Sequence, residues 1–189
     1  KCEKSIDKCS ALCYNIINRL NNDKRGNEMY SIGQTVLYGT NGVCNITDIT
    51  TKKVGKISLE YYVLKPLCSN TSTLFVPTHN EQLVSKIRYV LTEDEIKNVL
   101  ENLPECDEWN NNKFERAENF KGIIASADFL ELVKLIRLIH IHEVQQYSHG
   151  KRLHISDERI LKEAEKMVCD EVSFVLQIDR NSVIQLILK

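Results

Sequence analysis

No stretch of this 189-residue sequence approaches the roughly 18 consecutive apolar residues that a membrane-spanning helix needs. The first residues lack a basic start followed by a continuous apolar run, which predicts that no signal peptide is present. No two cysteines have the CxxC spacing, and the seven cysteines are an odd number at irregular intervals. Because this pattern is typical of reduced thiols and disfavours a disulfide framework, we expect a cytoplasmic protein.

Motifs of catalysis are also missing. The sequence has no GxxxxGK[ST] phosphate-binding loop and no nucleophile elbow. His140 and His142 are two residues apart, so on a helix they point about 200° apart and cannot share a metal ion. We therefore predict that the protein is not an enzyme and needs no cofactor, metal or small-molecule substrate. An enzyme or thiol sensor that uses Cys44 or Cys106 stays open as an alternative, although neither has an obvious base beside it.

The net charge of −1 argues against a protein that holds nucleic acid by electrostatics alone. Basic and acidic groups number 6 and 4 in residues 1–28, 7 and 7 in residues 29–104, and 12 and 15 in residues 105–189. Since no part is strongly basic, any contact with DNA has to be local or assisted by a second tether. The length and the hydrophobic fraction of 42% suit one large or two small domains with a buried core.

Three regions differ in their residue pattern. Residues 1–28 are polar and predict a loosely ordered N-terminal extension, although a short helix over residues 6–20 fits the apolar spacing. From residue 29 to about residue 80, β-branched and aromatic runs alternate with turn residues. These runs predict a small, strongly bent antiparallel sheet or barrel. Its predicted strands are Thr35–Tyr38, Val43–Ile49, Leu59–Leu64 and Leu74–Val76.

Residues 81–189 have the periodicity of a small helical bundle. Thr92 to Glu95 has the sequence of a capping box, and Pro104 ends the helix behind it. The helix that begins at Asp128 is apolar over most of its circumference, so it should be the buried centre. The further helices are predicted over Lys113–Ile124, from Asp128 to about Gly150, from Ser156-Asp157-Glu158 onward, and over Ser182–Leu188.

Four stretches of the sequence carry a family resemblance. They are Tyr30–Tyr38 with Asn41-Gly42-Val43, Glu60–Lys65, Leu74–Pro77, and the helical run from Trp109 through Asp128 to Ala164-Glu165-Lys166. In their order and spacing, over residues 29–189, they resemble the CarD-like (CdnL) transcription regulators in the form found in Firmicutes. The same barrel occurs in the transcription-repair coupling factor, but there it precedes a helicase motor that this short chain cannot contain.

The resemblance implies an α+β fold and a function in transcription. An N-terminal Tudor- or SH3-like antiparallel β-barrel over residues 29–80 would bind the RNA polymerase β subunit. An all-α helical bundle domain over residues 81–189 would contact promoter DNA. Members of the family adjust the stability of the open complex at the upstream edge of the transcription bubble, and they are not enzymes. The alternative is an adaptor that binds polymerase or another partner and never touches DNA.

The resemblance assigns polymerase binding to Lys52, Lys53, Tyr62 and Phe75. Lys52 falls at the position of a basic residue that aids docking, and Phe75 replaces an arginine of some members, which predicts a contact that is either more apolar or weaker. Tyr61 and Tyr62 should point to opposite faces of their strand, one of them inward. The alternative for the two lysines is simple decoration of a solvated hairpin.

The candidate DNA-binding residues lie in the helical region. Trp109 matches the residue that wedges against an unstacked base, although a lone tryptophan is more often a packed core or lid residue. The cations on the helix that follows it share one face, where Glu115 and Glu118 offer the alternative of a solvated, ion-paired surface. A second basic pair precedes a predicted helix N-terminus, which favours phosphate. The full set is Trp109, Lys113, Arg116, Lys121, Lys151 and Arg152.

Overall fold

The computed structural model describes residues 30–55, 57–68, 72–104 and 108–189. The predicted extension over residues 1–28 lies outside these residues. In the described part of the chain, no helix is both long and apolar enough to cross a membrane. Two compact units are present, the first containing residues 30–38 and 43–90 and the second residues 39–42 and 91–189.

The first unit is built around a five-stranded antiparallel sheet with the strand order β4-β3-β2-β1-β5. β2 and β3 form a long hairpin, in which a β-bulge at Thr47 shifts the register between Ile46 and Asp48. The predicted order of a small Tudor-like antiparallel sheet followed by helices is confirmed. The strands are β1 (Thr35–Tyr38), β2 (Val43–Val54), β3 (Ile57–Pro66), β4 (Leu74–Pro77) and β5 (Ile87–Tyr89).

One face of the sheet carries the core of the first unit, to which all five strands contribute. Tyr30 fastens the segment before β1 to this core, because its hydroxyl donates a hydrogen bond to the Ile87 carbonyl at 2.6 Å. Its ring also meets the Tyr62 ring edge-on, with 5.9 Å between the centroids. The buried core residues are Val36, Cys44, Ile46, Tyr62, Leu64, Val76 and Ile87.

The sheet extends beyond the predicted boundary at residue 80. A single helical turn, α1 (Glu81–Val84), follows β4, and β5 then pairs with β1. Ile87 enters the sheet core from β5, so burial of this one side chain helps to hold a strand of only three residues. The first unit consequently ends at Val90.

The second unit is helical. Its central helix, α4, is buried over residues 129–139, whereas Ile141, Val144 and Tyr147 near its end are exposed. The prediction that this helix is the buried centre therefore holds for residues 129–139 and does not hold for its last turns. The helices of the described residues are α2 (Glu93–Glu101), α3 (Lys113–Ser126), α4 (Phe129–Ser148), α5 (Ile155–Leu176) and α6 (Arg180–Ile187).

Local capping sets the helix starts. Thr92 and Glu95 form the predicted reciprocal capping box at α2, and Asp128 accepts a hydrogen bond from the Glu131 N–H at the start of α4. α5 begins one residue earlier than Ser156, because His154 is its N-cap and places Nδ1 3.2 Å from the Ser156 nitrogen. The side chain of Asp157 therefore does not cap the helix. It points into the helical unit, where it is buried.

The connection between β1 and β2 belongs to the second unit. Gly42 lies in this connection with φ +75°, and a Cβ there would lie 2.9 Å from Asp170 Oδ2 on α5. Glycine is required because it tolerates positive φ and leaves room for this carboxylate. Asp170 is itself buried and forms an ion pair with Arg180 at the start of α6.

Candidate interaction surfaces

The face of the sheet opposite the core carries two of the predicted polymerase-binding residues side by side. Lys52 Nζ lies 3.2 Å from the centroid of the Phe75 ring, a cation–π contact between β2 and β4. Phe75 remains 45% exposed. Such a contact at an exposed site contributes only about 0.5–1 kcal/mol, so it orients the pair more than it stabilises the sheet.

Apolar side chains on β3 continue this surface. β3 residues with odd numbers share a face with Phe75 and Lys52, because Phe75 is opposite Val63 and Lys52 is opposite Leu59. Ile57, at the tip of the hairpin, is exposed. We call this surface the outer sheet face. Val63 on this side of the sheet is buried, so the members of the surface are Lys52, Ile57, Leu59, Tyr61 and Phe75.

The two other predicted polymerase-binding residues do not join this surface. Tyr62 is 2% exposed and belongs to the sheet core, so its assignment to the docking surface is corrected; Tyr61 lies on the outer sheet face instead. Lys53 is exposed but opposes Ser58, on the same side of the hairpin as Tyr62. Lys52 and Lys53 therefore project from opposite faces.

Strand β4 is an edge of the sheet, and within the described residues no strand pairs with its outer side. The Thr78 N–H donates to the Glu60 carbonyl at 3.0 Å, so these two residues form a hydrogen-bonded pair of the antiparallel ladder. Such pairs recur at every second residue of β4. Val76 then directs its N–H and C=O toward β3, and Phe75 directs both groups away from it. Pro77 has no N–H to offer. The edge thus presents one outward N–H, at Phe75, to an added strand.

Trp109 lies in the loop before α3 and is partly buried. Its indole stacks on the His142 ring at 3.6 Å with an interplanar angle of 6°, and it meets Phe120 edge-on at 6.0 Å. Burial, followed by the charge of Arg116, lowers the pKa of His142 below its ordinary value, which favours the neutral imidazole. The packing favours a role for Trp109 in fixing its loop over a role as an exposed wedge.

Arg116 is only 7% exposed, which excludes it from the predicted phosphate-binding face. Its Nη2 donates to Asp157 Oδ2 at 2.9 Å, and its Nη1 donates to the Asn110 carbonyl at 2.7 Å. The guanidinium carbon also lies 4.5 Å from the centroid of the Trp109 ring. Arg116 therefore ties α3, α5 and the tryptophan loop together, and its assignment as a DNA contact is corrected.

The remaining predicted DNA-contacting cations are exposed. Lys113 Nζ lies 2.8 Å from His154 Nε2, which brings Lys113 next to the segment that carries Lys151 and Arg152. Lys121 stands eight residues further along α3, roughly 12 Å away along the helix axis. Three of the four cations therefore gather where α3 and α5 begin.

Sequence reasoning missed two exposed apolar residues at the same place. Phe114 is 84% exposed and Ile155 is 64% exposed. Each occupies one of the first two positions of its helix, directly beside Lys113 or His154. The signal in the sequence was the position of each residue next to a helix start. An apolar residue there precedes the periodic positions that face the core, so it can remain exposed.

No group of three or more histidine, cysteine or acidic side chains within the described residues is arranged to hold a metal ion. His140 Nε2 lies 2.8 Å from Glu165 Oε1, and its Nδ1 lies 3.3 Å from Glu143 Oε2. The hydrogen bond to Glu165 raises the pKa of His140. Both nitrogens of this imidazole thus have carboxylate partners inside the helical unit.

We expect Cys44 and Cys169 to react slowly with thiol reagents at neutral pH. Burial raises the pKa of each thiol to about 11, which leaves about a hundredfold less thiolate than an ordinary cysteine has. Cys68 is exposed and should label first among these three. Timed alkylation of the native protein followed by peptide mass spectrometry measures the order.

Fast labelling of Cys44 would revive the thiol-sensor alternative at that residue. Cys106 lies outside the described residues, and the same experiment measures its rate directly. A protein labelled in denaturant is the control, because all accessible thiols should then react at similar rates.

Taken together, a small antiparallel β-domain with a mixed apolar and basic outer face has the features of a protein-interaction domain. Residues 30–88 match the family model of the CarD-like/TRCF RID domain. Residues 30–88 therefore form a domain of the CarD-like/TRCF RID kind, and over these residues the predicted resemblance to the CarD-like family is confirmed. A comparison with curated proteins found no match.

The match identifies residues 30–88 as a protein-interaction domain of a transcription-related family, and this domain is not itself catalytic. The matched residues span the sheet from the segment before β1 into β5. They include the first two residues of β5, in line with the place of this strand in the first unit. The match does not extend to the helices after residue 88, and the assignment to the Firmicutes type remains a prediction.

Proposed function

We propose that this protein is a transcription regulator that binds the RNA polymerase β subunit through the outer sheet face. The observation that carries the proposal is the Lys52–Phe75 pair, a cation and an exposed aromatic ring in direct contact within the family-matched domain. Phenylalanine is among the residues enriched at protein interfaces, and a few well-packed side chains usually carry most of the binding energy. The neighbouring edge of β4 offers a second means of attachment, by adding a polymerase strand to the sheet.

In the same proposal, the helical unit contacts promoter DNA at the upstream edge of the transcription bubble. Lys113, Lys151 and Arg152 are the candidate phosphate contacts, since they are exposed and gather where two helices begin. Three cations bind DNA weakly by themselves. Attachment to polymerase raises their effective concentration at the promoter, which compensates for the net acidic charge of the helical unit. The consequence is a shift in the equilibrium between the closed and open promoter complexes. The size of the shift is set by the difference between the protein's affinities for the two complexes.

The test is calorimetric titration of the full chain against an isolated polymerase β-subunit lobe. Lys52→Glu and Phe75→Ala should each weaken binding about thirtyfold, equivalent to about 2 kcal/mol. Lys53→Glu is the matched control, because it makes the same charge change one residue away on the opposite face. It should change the affinity less than about threefold, the scale of a peripheral charge.

Two results would contradict polymerase binding through the outer sheet face. One is the absence of saturable binding by the folded wild-type chain, and the other is an equal loss of affinity in Lys52→Glu and Lys53→Glu.

Comparing Phe75→Pro with Phe75→Ala isolates the contribution of the backbone to binding, because proline also removes the outward N–H of β4. An additional loss in Phe75→Pro supports strand addition at β4.

A second candidate function is an adaptor that binds polymerase without touching DNA. The excess of acidic over basic groups in residues 105–189 favours it. Promoter-complex lifetimes at saturating protein distinguish the two candidates. Equal lifetimes with wild-type protein and with a Lys151→Ala/Arg152→Ala variant would support the adaptor, and Lys166→Ala, an exposed cation further along α5, is the control.

A further inference from the structure

Trp109 is the only tryptophan of the chain, and its indole packs against side chains from two helices of the helical unit. The ring of His142 on α4 lies nearly parallel to it, with 3.6 Å between the centroids. Phe120 on α3 meets the indole edge-on at 6.0 Å, and the guanidinium carbon of Arg116 lies 4.5 Å from its centroid. These three contacts hold Trp109 against the unit.

His142 is the one of these three side chains that can change its charge near neutral pH, since arginine keeps its proton throughout this range. The imidazole is partly buried, and charged groups act on it from both neighbouring helices, Arg116 on α3 and Asp157 on α5. Arg116 disfavours a positive imidazole, whereas Asp157 favours one. Because Asp157 already accepts a hydrogen bond from Arg116 at 2.9 Å, its carboxylate offers little compensation to a second cation.

Protonation of the stacked imidazole has one favourable and two unfavourable effects. The face of the indole attracts a cation, which favours protonation. The loss of hydration of a partly buried charge and the repulsion from Arg116 disfavour it. The unfavourable effects are the larger ones, because burial and then the charge of Arg116 lower the pKa of His142 below its ordinary value. The packed imidazole therefore binds a proton less readily than an exposed histidine does.

We propose that the stack of Trp109 on His142 is a proton-sensitive switch, which holds the indole in place while the imidazole is neutral and releases it when the imidazole is protonated. Proton linkage sets the direction of this response. A histidine whose pKa is lower in the packed state than in the released state favours release as the pH falls. Each unit of that difference in pKa favours release by about tenfold once the pH is below both values.

The position of His142 keeps this response local. The last fully buried residue of α4 is Ile139, so His142 follows the part of the helix that forms the core. Release of the stack therefore leaves the core packing of α4 in place and exposes the indole of Trp109 to solvent. The stack is fully favoured above the ordinary histidine pKa of about 6.5, and it is lost as the pH falls through the lower pKa of the packed ring. The switch goes beyond the proposed contacts with polymerase and DNA and depends on neither.

The experiment follows the fluorescence of the full chain from about pH 8 to about pH 5.5, a range in which ordinary carboxyl groups stay ionised. Because the chain has no other tryptophan, the emission maximum and the quenching by acrylamide report on Trp109 alone. On acidification both should shift toward the values of an exposed indole, whereas the far-UV circular dichroism should stay constant. In an NMR titration His142 should have a pKa below about 6.5, and Trp109→Ala should raise that pKa, because the coupling between the two rings is reciprocal.

Two variants on α4 identify the group that titrates. His142→Phe keeps an aromatic ring beside the indole and has no proton to gain, so the fluorescence of Trp109 should no longer depend on pH. His140→Gln is the matched control, because it removes a histidine two positions away whose partners are Glu143 and Glu165. This control should keep the pH response of the wild-type protein.

Several outcomes would overturn the switch. One is a wild-type Trp109 signal that stays constant over the whole pH range, and another is a His142 pKa at or above about 6.5. A pH response that persists in His142→Phe, or that is lost in His140→Gln, would assign the titration to a different group. Loss of the helical circular dichroism signal in parallel with the fluorescence change would show that the whole unit unfolds and that no local release occurs.

Discussion

Replacing Arg116 with alanine is expected to lower the free energy of unfolding by about 3–5 kcal/mol, a large fraction of the stability of a domain of this size. The substitution leaves the carboxylate of Asp157 buried without its cation, and it removes the donor to the Asn110 carbonyl. An unpaired buried charge costs much more than the pair contributes. Urea denaturation followed by circular dichroism measures the change.

The partner substitution completes the test. Asp157→Ala should also destabilise strongly, and the double variant Arg116→Met/Asp157→Leu should recover part of the loss because it leaves no orphaned charge. Lys97→Ala is the control for an ion pair in solvent. Lys97 and Glu93 form an exposed pair on α2, and water screens the two charges, so the substitution should change the free energy of unfolding little. A loss below about 1 kcal/mol in Arg116→Ala would show that the arginine is free to bind phosphate after all.

Tyr62→Ala is expected to destabilise the sheet by about 3–5 kcal/mol, the usual cost of deleting a buried aromatic side chain. Tyr62 packs in the core beside Tyr30, with which it makes an edge-on ring contact. Thermal or urea unfolding should detect the loss, whereas Phe75→Ala on the opposite face should unfold within about 1 kcal/mol of wild type.

The same two variants separate packing from docking. Any loss of polymerase binding by Tyr62→Ala should disappear in a Tyr62→Phe variant, which keeps the buried ring. Phe75→Ala should lose binding although it stays folded. A Tyr62→Ala protein as stable as wild type but unable to bind polymerase would return Tyr62 to the docking surface.

Local signals in the sequence predicted much of the fold. β1 has the predicted bounds because its apolar run is followed at once by Gly39, and α2 starts where Thr92 and Glu95 cap each other. These signals need only a few neighbouring residues. β5 was missed because three residues are too few to establish a period, and its place depends on Ile87 reaching a core made by distant strands.

The docking residues illustrate a harder problem. Alternation predicts that Lys52 and Lys53 point to opposite faces, but the bulge at Thr47 decides which one faces outward. Cys44 and Ile46 point into the core before the bulge, and without it Lys52 would continue on their side. One extra residue reverses the alternation, and no local turn signal in the sequence marks it.

The helical site depends on contacts between distant segments. Helical periodicity placed Arg116 on a face with Lys113 and Lys121, yet its actual partner is Asp157, 41 residues away. Lys113, by contrast, stays in solvent beside His154. The sequence could supply the candidates, whereas burial and pairing between α3 and α5 decide which of them can reach DNA.

The assignment of residues 39–42 to the helical unit has a consequence for how such a chain can be recombined. The polypeptide passes between the two units at three points, after residues 38, 42 and 90. A single crossover at residue 90 would transplant the helices without the four-residue loop that contains Gly42, and the new loop would have to leave the same space beside Asp170. Exchange of either unit with a relative therefore requires coordinated changes at two separate places in the gene.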